Sequence, residues 1–159
     1  MVRRGEMIAG IAEAFGKSVN TIDILDRSLA KEGLRAKSPR GRAAVDMTSS
    51  DVANVATGVM FEASIRNTPK LVNDLGLSRS NAERVIRPFS GALRLRETVP
   101  GSTFTDAFAD MLEKVAQGAS PVNMRVEIIK PMHVNIGNTF YGAVISGSAG
   151  KDRPDLLFG

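Results

Sequence analysis

Residues 6–34 read EMIAGIAEAFGKSVNTIDILDRSLAKEGL, and the spacing of their apolar side chains decides the fold of the N-terminal part of the chain. Met7, Ile8, Ile11, Ala12 and Phe15 recur at three- and four-residue intervals, and Gly16 is a natural stop, which predicts a first short helix over residues 6–16. A polar turn follows at Lys17 and Ser18. Asn20 or Thr21 offers an N-cap for a second helix that carries Ile22, Leu25 and Leu29 and is closed by Gly33. Only about four residues separate the two, too few for an extended crossover, so the spacing predicts a helix-turn-helix. In that arrangement Ala12 is small where the helices cross and Val19 plugs the turn from below. Ser18, Asn20, Thr21, Asp23, Asp26, Arg27 and Lys31 then face outward. Short polar side chains at the front of a second helix suit base edges and phosphates in a major groove, whereas a plain αα-hairpin would need none of them.

The next stretch, GLRAKSPRGRAAVDMTSSD (residues 33–51), concentrates charge. From Arg27 to Arg42, a span that overlaps its first half, Arg27, Lys31, Arg35, Lys37, Arg40 and Arg42 set six cations against one anion, Glu32, within a chain whose net charge is +4. A concentrated positive patch is the footprint of a phosphate-backbone binder, and a solvated basic loop is the bland alternative. The position of this stretch behind the paired helices favours an arm or wing. In it PRGR can lay two arginines along a narrow groove, with Gly41 allowing close backbone approach. The stretch ends at a helix start, where Thr48 or Ser49 caps and Asp51 sits in the first turn. The third helix presents Val52, Val55, Ala56, Val59, Met60 and Ala63 as one apolar stripe for a core or an oligomer face.

Farther along, Thr68 as N-cap, Pro69 at the first helical position and Gly76 as a stop predict a short helix. A further helix from about Ser80, broken at Pro88, carries Arg79, Arg84, Arg87, Arg94 and Arg96 along or beside it. Ser102 or Thr103 caps a helix marked by Phe104, Phe108, Met111, Leu112 and Val115 and ended by Gly118. The period then changes from helical to alternating in VNMRVEIIK, and TFYGAVIS supplies a second strand, giving a two- or three-stranded antiparallel sheet. The apolar LLF near the end of a Gly/Ser-rich tail would be wasted unless it docks.

The expected fold is therefore mainly α with a small C-terminal antiparallel β element (α+β) and an N-terminal helix-turn-helix, winged or not. The expected organisation is a DNA-binding domain over 1–66 with a basic arm at 34–46, a helical and β-hairpin oligomerisation or partner domain over 67–150, and a tail over 151–159. With 159 residues and 43% hydrophobic composition the chain can bury a real core. No apolar run approaches the roughly 18 uncharged residues of a membrane span, and the apolar stretch in the first sixteen residues is too short and too acidic for a secretory signal. The expected location is cytoplasmic. The absence of cysteine excludes disulfides and thiolate metal sites.

Chemistry is not advertised. His133 is the sole histidine and has no second ligand at useful spacing, so it reads as structural. There is no phosphate-cradling glycine loop, no paired carboxylate in an apolar setting and no nucleophile triad. The reading is a non-enzyme with no catalytic residue, no cofactor and no metal. The candidate DNA-binding residues are Ser18, Asn20, Thr21, Arg27, Lys31, Arg35, Lys37, Arg40 and Arg42. Asn20, Thr21 and Arg27 would face bases. Arg35, Lys37, Arg40 and Arg42 would hold the backbone or enter a minor groove.

Over roughly residues 8–60 the chain resembles a group of small phage- and prophage-encoded proteins of alphaproteobacterial type. Their helix-turn-helix ends in an R-L-x-x-x-G-L phrase, followed by a basic GRGR-A-A segment and M-T-x-x-D-A-A-N-L. The matching residues are Arg27, Leu29, Gly33 and Leu34, then Arg40 to Ala44, then Met47, Thr48, Asp51, Ala53 and Asn54. The doubled GR-GR is here PR-GR, which keeps the arginines and stiffens the entry. The resemblance implies binding of double-stranded DNA in a phage setting, inside a bacterial host cell. The resemblance implies no definite role, and the order of elements along the chain leaves three: a transcriptional regulator that forms a homo-oligomer, a small terminase subunit for genome packaging, and an adaptor or inhibitor that binds another phage or host protein through its C-terminal half. A dimer by light scattering would favour the first, and an eight- to twelve-membered ring the second.

Overall fold

The computed structural model describes residues 2–36, 46–77, 103–118, 124–129, 142–147 and 156–158. Among them the chain is mainly helical with small antiparallel sheets, in the order β1 (Val2–Arg3), α1 (Arg4–Ala14), α2 (Val19–Lys31), β2 (Asp46–Met47), α3 (Ser49–Phe61), α4 (Thr68–Gly76), α5 (Phe104–Ala116), β3 (Met124–Ile129), β4 (Gly142–Gly147) and β5 (Leu156–Phe158). It divides into two compact units, Met1–Asp74 and Leu75–Gly159. The division falls inside α4, later than the sequence-based boundary after residue 66. A Cβ placed on Gly58 would lie 3.1 Å from the Thr68 methyl.

In the first unit α1 and α2 pack on each other, and α2 packs on α3. Met7, Ile8, Ile11 and Ala12 of α1 and the Ile22, Leu25 and Leu29 row of α2 are buried, and Met47, Val72 and Ala53, Val55, Ala56, Val59 and Phe61 of α3 complete the buried apolar set of this unit. Residues 15–18 join α1 to α2, with Gly16 at φ +59°, a left-handed conformation that only glycine takes without strain. Gly33, at φ +78°, does the same after α2. Ser18, not Asn20 or Thr21, caps α2: its hydroxyl accepts from the Thr21 amide at 3.1 Å. Val19 is thereby the first helical residue and is 56% exposed, so it does not plug the turn.

The start of α3 matches its sequence signal. Thr48 Oγ1 accepts from the Asp51 amide, and the Asp51 carboxylate accepts from the Thr48 amide at 2.9 Å, a reciprocal capping box. Thr68 is the first residue of α4 rather than its cap, and its hydroxyl donates back to the Ser64 carbonyl at 2.9 Å. One feature had no sequence signal: Val2 and Arg3 pair antiparallel with Met47 and Asp46, so the start of the chain lies beside the entry to α3.

Gly58 sits where α3 faces Leu25 of α2 and Thr68 of α4, with positions for a Cβ only 3.1–3.4 Å from their methyl groups. Gly58→Leu is therefore expected to destabilise the protein by about 2–3 kcal/mol through overpacking. Gly58→Ala should stay within about 1 kcal/mol of the parent, because its helix-propensity gain opposes the tight contact. Urea midpoints of the two variants check this.

In the second unit Thr103 caps α5 by accepting from the Asp106 amide at 3.2 Å, and Phe104, Phe108 and Ala109 are buried, the two rings 5.9 Å apart. The sheet runs β3-β4-β5, all antiparallel, with Val126 opposite Ile145 and Ile145 opposite Leu156. The terminal LLF thus docks as the third strand. The expected helix from Ser80, Pro88 and the arginines around them, His133 and the turn at residues 131–138 lie outside the described residues.

Candidate nucleic-acid interface

Helix α2 buries the row 22, 25, 26 and 29 and leaves Asn20, Ile24, Arg27 and Lys31 exposed at spacings of four, three and four. Those four residues form one stripe on the face turned away from the core. Thr21 is exposed beside it, its hydroxyl 2.8 Å from that of Ser18. Of the sequence-predicted residues, Ser18, Asn20, Thr21, Arg27 and Lys31 are thus brought together on one helix. Ile24, 40% exposed in the middle of the stripe, was not singled out by sequence. Its signal was available, since position 24 is absent from the 22, 25, 29 apolar row. An amide, an apolar side chain, a guanidinium and an ammonium along one helix are the group types that meet adenine edges, thymine methyls, guanine edges and phosphates.

Two outward assignments are corrected. Asp26 is fully buried, and Arg35 has a side chain only 4% exposed, the two forming an ion pair. Arg35 Nη2 donates to Asp26 Oδ2 at 2.6 Å, while Nε lies 2.6 Å from Oδ1 in a contact not aligned as a hydrogen bond. Arg35 also donates from Nη1 to the Ala36 carbonyl. It is a core residue and is not placed to hold a DNA backbone. The reason is visible in the periodicity: Asp26 stands four residues after Ile22, inside the buried row, and a buried carboxylate requires a partner.

Asp26 has a second partner. Arg4, the first residue of α1, donates from Nε to Asp26 Oδ2 at 2.8 Å and from Nη2 to Asp23 Oδ1 at 2.5 Å. Burial, the largest single influence, pulls the Arg4 pKa down, but the hydrogen bonds and negative charges of Asp23 and Asp26 together raise it above its ordinary value. Asp23 turns its other oxygen, Oδ2, to Arg27 Nη2 at 2.7 Å.

Residues 34–36 are tied down just as firmly. Asn54 Nδ2 donates to the Leu34 carbonyl at 2.7 Å, and the Ala36 amide donates to Asp51 Oδ1 at 2.8 Å. Because Asp51 Oδ2 takes the Thr48 amide, one carboxylate holds the chain on both sides of the basic segment. Lys37, Arg40 and Arg42 themselves lie outside the described residues.

Among the described residues no three His, Cys, Asp or Glu side chains come together as a metal site, and no helix is long and apolar enough to cross a membrane. No protein-family model, curated protein or solved structure matches the chain.

Proposed function

We propose that the protein is a sequence-specific binder of double-stranded DNA, acting as a transcriptional regulator of phage or prophage genes. In this reading α1, the four-residue turn and α2 work as a helix-turn-helix, and α2 enters the major groove. The observation that carries it is the α2 stripe: a polar and cationic row, Asn20, Arg27 and Lys31 around Ile24, that the fold leaves uncovered while every other apolar position of the helix except Val19 is packed or half-packed. Thr21 and Ser18 stand at the leading end of that row. Support for a basic arm comes from the anchoring of Ala36 and Thr48 on Asp51, which brings both ends of residues 37–47 to the start of α3. Lys37, Arg40 and Arg42 would make backbone or minor-groove contacts, and the C-terminal unit would serve self-association.

The joint change Arg40→Ala and Arg42→Ala tests the arm. Binding to a labelled duplex should weaken, and the slope of log K against log salt should fall in magnitude by about 2, since each phosphate contact contributes roughly 0.9. Unchanged affinity and slope in fluorescence anisotropy would remove the arm from the interface.

A further inference from the structure

Arg35, Asp26, Arg4, Asp23 and Arg27 form one series of alternating charge, each in contact with the next at 2.5–2.8 Å. It runs from the interior to the surface: side-chain exposure is 4% at Arg35, 0% at Asp26, 30% at Arg4, 20% at Asp23 and 72% at Arg27. Three cations against two anions leave one positive charge uncompensated. The buried end cannot carry it, because Arg35 and Asp26 are held against each other away from water, so the excess belongs to Arg27. With Nη2 on Asp23, the remaining guanidinium N–H groups of Arg27 meet no partner among the described residues.

A surface arginine gains little stability from one carboxylate at high exposure, so the Asp23 contact does little for the fold. What it does is restrict a long side chain to one direction. Asp23 is itself fixed, because Arg4 holds its other oxygen and Asp26 holds Arg4. A guanidinium oriented in advance loses less entropy on taking a planar two-acceptor ligand, and the paired acceptors of that kind in a major groove are O6 and N7 of guanine. Resting on the DNA-binding reading, we infer that Arg27 reads a guanine and that Asp23 is its positioning residue. A phosphate contact would need no such orientation, since a point charge suffices, and Asp23 would then only repel the backbone.

The two cases predict opposite signs. A 20-base-pair duplex enriched by the wild-type protein from a random pool, and a scrambled version of it, serve as probes in anisotropy titrations. Arg27→Lys keeps the charge at an exposed position and leaves the fold intact. It should lose about tenfold or more on the enriched duplex and change little on the scrambled one. Asp23→Asn removes a negative charge, so it should hold or gain affinity for the scrambled duplex yet lose several-fold on the enriched one. Replacing the guanines of the enriched duplex by 7-deazaguanine should weaken wild type and leave Arg27→Lys nearly unaffected. If Arg27→Lys binds the enriched duplex like wild type, or Asp23→Asn tightens both duplexes equally, the guanine reading is overturned while DNA binding stands. If wild type enriches no duplex, both fall.

Discussion

Asp26→Ala is expected to cost the N-terminal unit about 3–5 kcal/mol, the penalty for stranding a buried charge, out of a total stability on the order of 5–15 kcal/mol. The loss is not that of one salt bridge. Arg4, 30% exposed, can turn to water when the carboxylate goes, but Arg35 is only 4% exposed and has no such exit. Most of the cost should therefore sit on Arg35, and Arg35→Met in the Asp26→Ala background should recover much of it by filling the same space without charge. Arg35→Met alone should cost less than Asp26→Ala, since Asp26 would keep Arg4. Denaturant unfolding of the four proteins gives the comparison. A loss below about 1 kcal/mol for Asp26→Ala would mean that the carboxylate is hydrated, contrary to its complete burial.

The second large effect is at Asp51, where replacement by alanine should cost about 2–4 kcal/mol. Its buried carboxylate accepts from the Ala36 amide, the Thr48 amide and the Thr48 hydroxyl at 2.8–2.9 Å, and it lies in the first turn of α3, where the helix dipole favours an anion. Removing it leaves two backbone donors unsatisfied and unties both ends of residues 37–47. Thr48→Val, which removes only the side-chain half of the capping box, should cost about 1 kcal/mol. Amide hydrogen exchange separates the two. Asp51→Ala should lose protection at Ala36 and Thr48 together, and retention of either would show that the carboxylate is not what holds it.

The local signals of the fold were legible in the sequence because each is decided by neighbours along the chain. Thr48 with Asp51 at the head of α3, Thr103 as the cap of α5, and Gly16 and Gly33 at the ends of α1 and α2 are decided within a few residues. The alternation over 124–129 and the apolar run over 156–158 likewise appear as strands, although only the backbone partners show that the terminal run pairs with β4. What the sequence hid is contact at a distance. A basic stretch looks uniformly available, and nothing local distinguishes Arg35, nine residues from the aspartate that buries it, from Arg27, which faces solvent. Arg4 reaches across about twenty residues to Asp23 and Asp26, and Val2 and Arg3 across more than forty to Met47 and Asp46.

The candidate site was legible to the same degree and for the same reason. Asn20, Arg27 and Lys31 follow from the 3.6-residue period once Ile22, Leu25 and Leu29 are taken as the buried side. Asp26 belonged to that side by position, and its polarity disguised it.

At 17.0 kDa the chain is small enough for amide-resolved NMR, and titration of the labelled protein with the enriched duplex at low salt tests the central claim most directly. Shifts should concentrate at Asn20, Thr21, Ile24, Arg27 and Lys31, with Ile22, Leu25 and Leu29 on the buried side of the same helix much less affected. Binding that leaves the α2 stripe unperturbed, or no binding at all, would contradict the assignment of this helix as the surface that reads DNA.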